Sequence, residues 1–296
     1  MSNGLHTEWL VTTETEDGLV LEGAQFSPVQ GSPSGTDTTV VWMHGFTGRF
    51  YEQHTVAIGR HLADRGYTFI TGNNRGHDNG AFIHRADRGQ SLSAGAWWED
   101  IRDCRFDLSA WIGFASESGA SRVVLAGHSL GAMKVVWYMG TSNDKRVSGL
   151  ISASGPLRIW QRIAQDPERL STAKRLVDEG RGGELLPTDP GGRVTSAQTL
   201  VWRAELGADV YGFQQPDAVA PLGNIRCPIL FVLGSEEPEI GRAEDLPTLK
   251  RNARSAPNTE TVYVQGADHV YHDHEQEVAD AVASWLPIVA PAPVAR

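Results

Sequence analysis

Five consecutive residues, Gly127-His128-Ser129-Leu130-Gly131, constrain this chain more than any other stretch. They stand between residues 121–126, Ser-Arg-Val-Val-Leu-Ala, which read as a buried strand, and the apolar residues 132–139, which read as a helix. In that setting Gly-x-Ser-x-Gly predicts a tight strand-to-helix turn with the serine at its tip. The glycines are needed because a side chain two positions either side of the serine collides with neighbouring elements. Ser129 is pushed into the open, and the new helix brings its N-terminal dipole and unpaired N–H groups beneath it. The Leu130 amide is therefore a candidate donor to a tetrahedral oxyanion. A chance Gly-Ser-Gly turn is the plain alternative, and the flanking strand and helix count against it.

With 296 residues and 40% hydrophobic content, the chain suffices for one large domain or two small ones. Nothing in it reads as a bilayer span, and residues 1–8 lack a basic segment followed by an apolar one, so a soluble, cytoplasmic protein is the expectation. The net charge of −10 argues against nucleic acid or an anionic membrane as the main partner. Cys104 and Cys227 have no CxxC or metal-type spacing and are expected to be buried thiols.

Periodicity places the motif within a longer alternation. Residues 8–14 and 18–26 read as an antiparallel hairpin at a sheet edge. Residues 38–43 read as a strand, followed by a helix over 51–65, a strand over 67–71, a loop over 73–80 and a long helix over 96–116. After the Ser129 helix comes a strand over 147–153, and then the pattern breaks. Residues 156–222 read as an insertion without strands, carrying helical runs over 164–179 and 196–206. The alternation resumes with a strand over 228–233, a helix over 242–255, a strand over 260–265 and a helix over 275–285, before a proline-interrupted tail. Such alternation specifies a mostly parallel sheet covered by helices on both faces.

A serine hydroxyl needs a base within hydrogen-bond reach and a third group that holds the base in the right tautomer. On this scaffold the chain order is serine, acid, histidine. Downstream of Ser129 the histidines are His269, His272 and His274. His269 directly follows the last strand, where a loop can bend over the sheet edge, and is the candidate base. His272 and His274 fall at the start of the final helix, where solvated or capping roles are expected. A metal site built from His269, His272, Asp273 and His274 is conceivable on residue types alone, but no second ligand cluster accompanies it and hydrolysis here needs no metal.

The loop after Leu233 offers Glu236, Glu237 and Glu239. Glu237 is the candidate acid, with Glu236 its near rival because a one-residue shift exchanges their directions. Asp268 adjoins the base and is expected to point away from it. The alternative acid position, Ser154-Gly155-Pro156, carries no carboxylate. A second oxyanion donor is expected from His44-Gly45-Phe46-Thr47-Gly48, through the Phe46 amide, and two such donors contribute roughly 3 kcal/mol each. His44 itself is expected to be structural. Arg75 and Asp78 are expected to pin loops rather than touch substrate, and Trp160 and Trp202 are equally open to lining a pocket or packing the insertion.

These motifs, with Asn74-Arg75-Gly76, resemble the α/β-hydrolase superfamily over nearly the whole chain. The resemblance implies an α/β-hydrolase fold: a mostly parallel eight-stranded sheet flanked by helices, a helical cap after the sixth strand, and a cofactor-free serine triad. It divides the chain into a core (1–155 and 223–288), a cap (156–222) and a loose tail (289–296). Glutamate replaces the commoner aspartate as acid. Residues 173–187 and 228–240 further resemble the branch that includes fungal siderophore esterases, which hydrolyse esters in hydroxamate siderophores. The expected function is hydrolysis of a small-molecule carboxylic ester through an acyl-enzyme on Ser129. The same machinery would serve a thioesterase, amidase or acyltransferase, and a ligand-binding protein on the hydrolase scaffold is the rival from another class.

Overall fold

The computed structural model describes residues 6–29, 37–87, 89–158, 166–189, 191–205, 209–214 and 220–289. Val/Ile/Leu-rich runs bounded by glycine and polar residues form the central strands, as a sheet buried on both faces requires. In chain order the strands are β1 (His6–Glu14), β2 (Val20–Pro28), β3 (Thr38–Met43), β4 (Thr68–Gly72), β5 (Ala81–Ile83), β6 (Leu92–Ala94), β7 (Arg122–His128), β8 (Val147–Ala153), β9 (Ile229–Gly234) and β10 (Thr259–Val264). The helices are α1 (Gln53–Asp64), α2 (Cys104–Glu117), α3 (Leu130–Ser142), α4 (Pro167–Asp178), α5 (Ala197–Glu205), α6 (Leu246–Asn252) and α7 (Glu275–Val289).

Eight strands form one sheet in the order β1-β2-β4-β3-β7-β8-β9-β10. The β1–β2 and β2–β4 pairs are antiparallel and the rest are parallel. The period-two alternation of each central strand divides its side chains between two cores. Val41, Leu125, Phe231 and Leu233 pack with Trp111, Met133 and Leu249 on the face of α2, α3 and α6. Val40, Trp42, Val124 and Val232 pack with Ile58, Val282 and Trp285 on the face of α1 and α7. Between β8, the sixth strand of this sheet, and β9, α4 and α5 build a separate small cluster from Ala173, Leu176, Leu186, Ala197 and Val201. Both cysteines are buried free thiols, and burial pushes Cys227 up to about 12.

Three local expectations are revised. The helix expected over 96–116 begins only at Cys104, because Asp100 turns back to cap a short 3-10 turn at Arg102 and Glu99 is drawn inward by Lys134. The β5–β6 hairpin, three residues a side, is too short to leave a periodic signature. The final helix continues through Pro287 to Val289, since Leu286 and Val289 are buried against the sheet and offset the proline's missing donor. Residues 290–296 of the expected tail lie outside the described residues.

Candidate active site

All parallel strands end on one rim of the sheet, and the candidate residues sit at these ends. Ser129 caps β7, Ser154 follows β8, Glu237 lies three residues past β9, and His269 lies in the loop after β10. The pairing of the sheet carries on into this rim: Ser129 N–H donates to Ala153 O at 2.9 Å, Ser154 N–H to Val232 O at 2.8 Å, and Ser235 N–H to Val264 O at 3.0 Å. Each loop is thus anchored to the strand beside it.

Ser129 has φ 55° and ψ −124°, a conformation that costs on the order of 1–3 kcal/mol. The turn closes only because its flanks are glycine. A Cβ on Gly127 would stand 2.3 Å from the Gly131 carbonyl oxygen, and one on Gly131 would stand 2.4 Å from that of Met43. The loop after β3 lies directly on the nucleophile, since a Cβ on Gly45 would stand 2.7 Å from Ser129 Cβ. Leu130 opens α3, so its N–H has no carbonyl one turn back within the helix. Phe46 follows Gly45, and its ring is covered by the Arg203 guanidinium at 4.8 Å.

Ser129, His269 and Glu237 are brought together. His269 Nε2 is 2.9 Å from Ser129 Oγ, and His269 Nδ1 is 2.6 Å from Glu237 Oε2. A carboxylate only accepts, so the Nδ1 proton points at Glu237 and the Nε2 lone pair faces the serine hydroxyl. Glu237 is fully buried, and its other oxygen, Oε1, accepts from Gly234 N–H at 2.7 Å and Ser154 O–H at 2.5 Å. The Tyr271 hydroxyl donates to Ser154 Oγ at 2.6 Å, which completes a chain from Tyr271 through Ser154 to Glu237. Burial first, and then the Glu237 charge, holds the Tyr271 hydroxyl protonated well above its ordinary range.

The rival groups lie elsewhere. Glu236 is exposed and pairs with the Ser235 hydroxyl at 3.0 Å, and Glu239 is exposed. Asp268 accepts from the Val270 and His272 N–H groups at 3.0 Å, shaping the loop and turning from the base as expected. His272 is exposed, and His274 immediately precedes α7. Among the described residues no cluster of three or more His, Cys, Asp or Glu side chains converges to hold a metal ion. His44 is fully buried, accepts from Asn74 N–H at 3.2 Å and donates to the Gly45 carbonyl at 2.9 Å, which matches the structural part expected of it. Burial, then the Lys134 charge, pushes it down to about 3, so it stays neutral.

Arg75 and Asp78 both pin loops. The Arg75 guanidinium joins Asp107 of α2 to Asp17 of the turn before β2, at 2.9 and 3.0 Å, while Asp78 pairs with Arg49 at 3.2 Å. Trp202 is half-buried on α5, and Trp160 lies outside the described residues.

Two groups escaped sequence reasoning. On sequence Ser154 marks only a position without a carboxylate, although a hydroxyl directly after a strand beside the acid is itself a signal. His128, inside the motif, donates from Nε2 to the His269 carbonyl at 2.6 Å and stacks on the His269 ring with centroids 4.9 Å apart. Burial, then the neighbouring His54 and His269, drives His128 well below the ordinary histidine range, leaving it a fixed neutral donor.

The alpha/beta hydrolase family model matches residues 40–281, and the chain belongs to the alpha/beta hydrolase family. No curated protein sequence matches it. Among solved structures it is similar to Est1E from Butyrivibrio proteoclasticus with ferulic acid bound, at 20% identity and a TM-score of 0.65 over 95% of this chain and 99% of that one. The Pyrococcus furiosus esterase Pf2001 gives 17% identity and a TM-score of 0.61 over 96% of this chain and 93% of that one. DcsB, in complex with its substrate analogue, gives 16% identity and a TM-score of 0.68 over 96% and 100% of the two chains. At these identities the likeness speaks to the fold. No helix among the described residues is long and apolar enough to cross a membrane.

Proposed function

We propose that this hydrolase cleaves a carboxylic ester of a small molecule through an acyl-enzyme on Ser129. The reading is carried by one observation: a single imidazole lies 2.9 Å from the Ser129 hydroxyl on one side and 2.6 Å from a buried carboxylate on the other. Ser129 Oγ attacks the ester carbonyl while His269 Nε2 takes its proton. The imidazolium so formed faces Glu237, which is already held by Gly234 and Ser154 and does not need to move. The Phe46 and Leu130 amides receive the oxyanion. His269 returns the proton to the leaving alcohol, and water then deacylates Ser129 by the reverse sequence. Residues 156–222 act as a cap over this site, on a core of 1–155 and 223–288.

The esterases among the structural neighbours support the choice of ester, and the ferulic acid bound to Est1E supports including aryl acids among the candidates. The test is a fluorophosphonate label followed by a hydrolysis screen over alkyl, aryl and feruloyl esters, a hydroxamate siderophore ester, thioesters and amides. A covalent adduct at Ser129, with ester turnover at least 10⁴-fold lower (roughly) in Ser129→Ala, is the expected result. Turnover that survives Ser129→Ala assigns the reaction to another site, and a folded protein that takes no label is a binding protein rather than an enzyme.

A further inference from the structure

An open cleft of about 340 Å³ lies where the loop after β6 meets α4 and α5, with Trp98, Trp202, Val177, Gly183, Ser196 and Gln198 on its walls. Its two indoles are held in place. Trp98 Nε1 donates to the Gly183 carbonyl at 3.0 Å, and its ring lies so close to Gly80 that a Cβ there would stand 3.0 Å from it. Trp202 sits beneath the Arg102 guanidinium, 5.8 Å from its centroid. Both rings are half-buried and present apolar surface to the opening.

The glycines along the cleft separate into those that folding requires and one that it does not. Gly180, at φ +74°, ends α4 in a left-handed turn, with Arg181 N–H on Leu176 O at 2.8 Å and its own N–H on Val177 O at 2.9 Å. Gly182 admits Gln198, whose Oε1 would be 3.0 Å from a Cβ there. Gly183 has neither reason: its φ lies outside the left-handed region and a Cβ would meet nothing within 4 Å. Its bare backbone leaves the wall beside Trp98 flat and the cleft open.

The polar inventory narrows the ligand. The Gly182 carbonyl is taken by Gln198 N–H at 2.8 Å, the Gly183 carbonyl by Trp98, and the Ser196 hydroxyl donates to Thr199 at 3.0 Å. Among the described residues, the Gln198 side-chain amide, the Trp202 indole N–H and the Gly182 and Gly183 N–H groups are left as polar groups on these walls. Two indole faces suit an aromatic ring, which asks mainly for flat surfaces to stack on. The space exceeds the roughly 150 Å³ that holds one benzene, which leaves room for a ring with a short substituent.

Two wall residues are followed in sequence by residues that reach the surroundings of Ser129. Trp202 precedes Arg203, whose guanidinium covers Phe46 at 4.8 Å, and Trp98 precedes Glu99, which is paired with Lys134 in the second turn of the helix that Ser129 opens. We propose that this cleft is a subsite for an aromatic ring bearing few polar substituents, and that it receives the aryl group of an ester presented to Ser129. The second half rests on Ser129 being the nucleophile.

Gly183→Leu adds a side chain at the cleft wall without straining the backbone, and Trp202→Leu removes one wall. Calorimetric titration of 2-naphthol into Ser129→Ala protein measures ring binding without turnover, and each cleft variant in that background should weaken it at least about tenfold. In the active protein, Gly183→Leu should raise KM at least about tenfold for ethyl 2-naphthoate or 2-naphthyl acetate and leave KM and kcat for ethyl butanoate within about twofold. Unchanged naphthol binding in both variants overturns the subsite, as does a KM for ethyl butanoate that moves with those of the aryl esters. If wild-type protein binds naphthol in the cleft but hydrolyses nothing at Ser129, the ring site stands and the nucleophile reading falls.

Discussion

The rim of the sheet and the segment inserted between β8 and β9 are held together in different ways. At the rim each side chain is fixed by partners from distant parts of the chain: Glu237 by Gly234, Ser154 and His269, and His269 by Ser129, Glu237 and, through its carbonyl, His128. These groups are buried or half-buried, so every unmade bond would carry a desolvation cost. In the inserted segment the pairs Arg175–Glu179, Arg181–Glu184 and Arg193–Asp189 are local, Arg158–Asp245 and Arg102–Glu205 reach the core, and α4 and α5 share a small apolar cluster of their own. Hydrogen bonds that tie α5 and its approaches to the core converge on Ala96, Trp97 and Trp98. The rim is over-determined, whereas α5 is tied at residues 96–98 and through Arg102–Trp202, Arg102–Glu205 and Arg203–Phe46, and Leu157, Val210 and Tyr211 at the two ends of the insertion pack into the main core.

The comparison is broken most directly at the acid. Glu237→Gln should lower kcat by about 10³–10⁴-fold, while Glu236→Gln should stay within about twofold of wild type. The reverse ranking in steady-state kinetics would reassign the rim. Truncation separates the two regions next: Leu150→Ala, between the sheet and its helices, should lower the free energy of unfolding by about 2–5 kcal/mol in urea titrations. Leu176→Ala, in the small cluster of the insertion, should instead speed proteolytic nicking there and leave the main transition in place.

Ser154→Ala removes one charge-assisted hydrogen bond to Glu237 and should reduce kcat by about 10–100-fold with little change in KM. Ser154→Thr should restore most of it, and an equal loss in both would mean packing rather than donation is at stake.

Acid should act on the core and spare the insertion, which contains no histidine in residues 156–222. His44, His54 and His128 are held below the ordinary value of 6.5, His44 to about 3 and His54 to about 4, each chiefly by burial. In the unfolded chain they take up protons near 6.5, so their stabilisation is complete above that pH and is lost as pH falls towards 4. Each group contributes a slope of up to about 1.4 kcal/mol per pH unit. Urea midpoints that do not fall between pH 7 and 5 would contradict this. The smallest effect belongs to the exposed Arg181: Arg181→Ala should leave the thermal midpoint within measurement error, and a clear drop would show that the insertion is not held as described.

Much of this molecule was legible before any fold was built. The eight main strands, the elbow and the break after residue 153 rest on periodicity and on glycine spacing, both local properties. The helix expected from residue 96 is not legible, because Glu99 is spent on Lys134, a tertiary partner that propensity does not see, and Asp100 turns back on Arg102 to cap a short 3-10 turn. The β5–β6 pair was missed for a similar reason, being three residues long and dependent on the loops around it.

What the order of residues determined by itself was the identity of the serine and the histidine, since a strained turn between glycines and a loop after the last strand are set by neighbours in sequence. The fold decided which glutamate faces the histidine. Gly234 N–H and the Ser154 hydroxyl, the latter 83 positions away, both grip Glu237 Oε1 and turn that carboxylate inward while Glu236 faces solvent. A choice between adjacent carboxylates depends on groups that meet only when β8 and β9 lie side by side, so no local rule could make it.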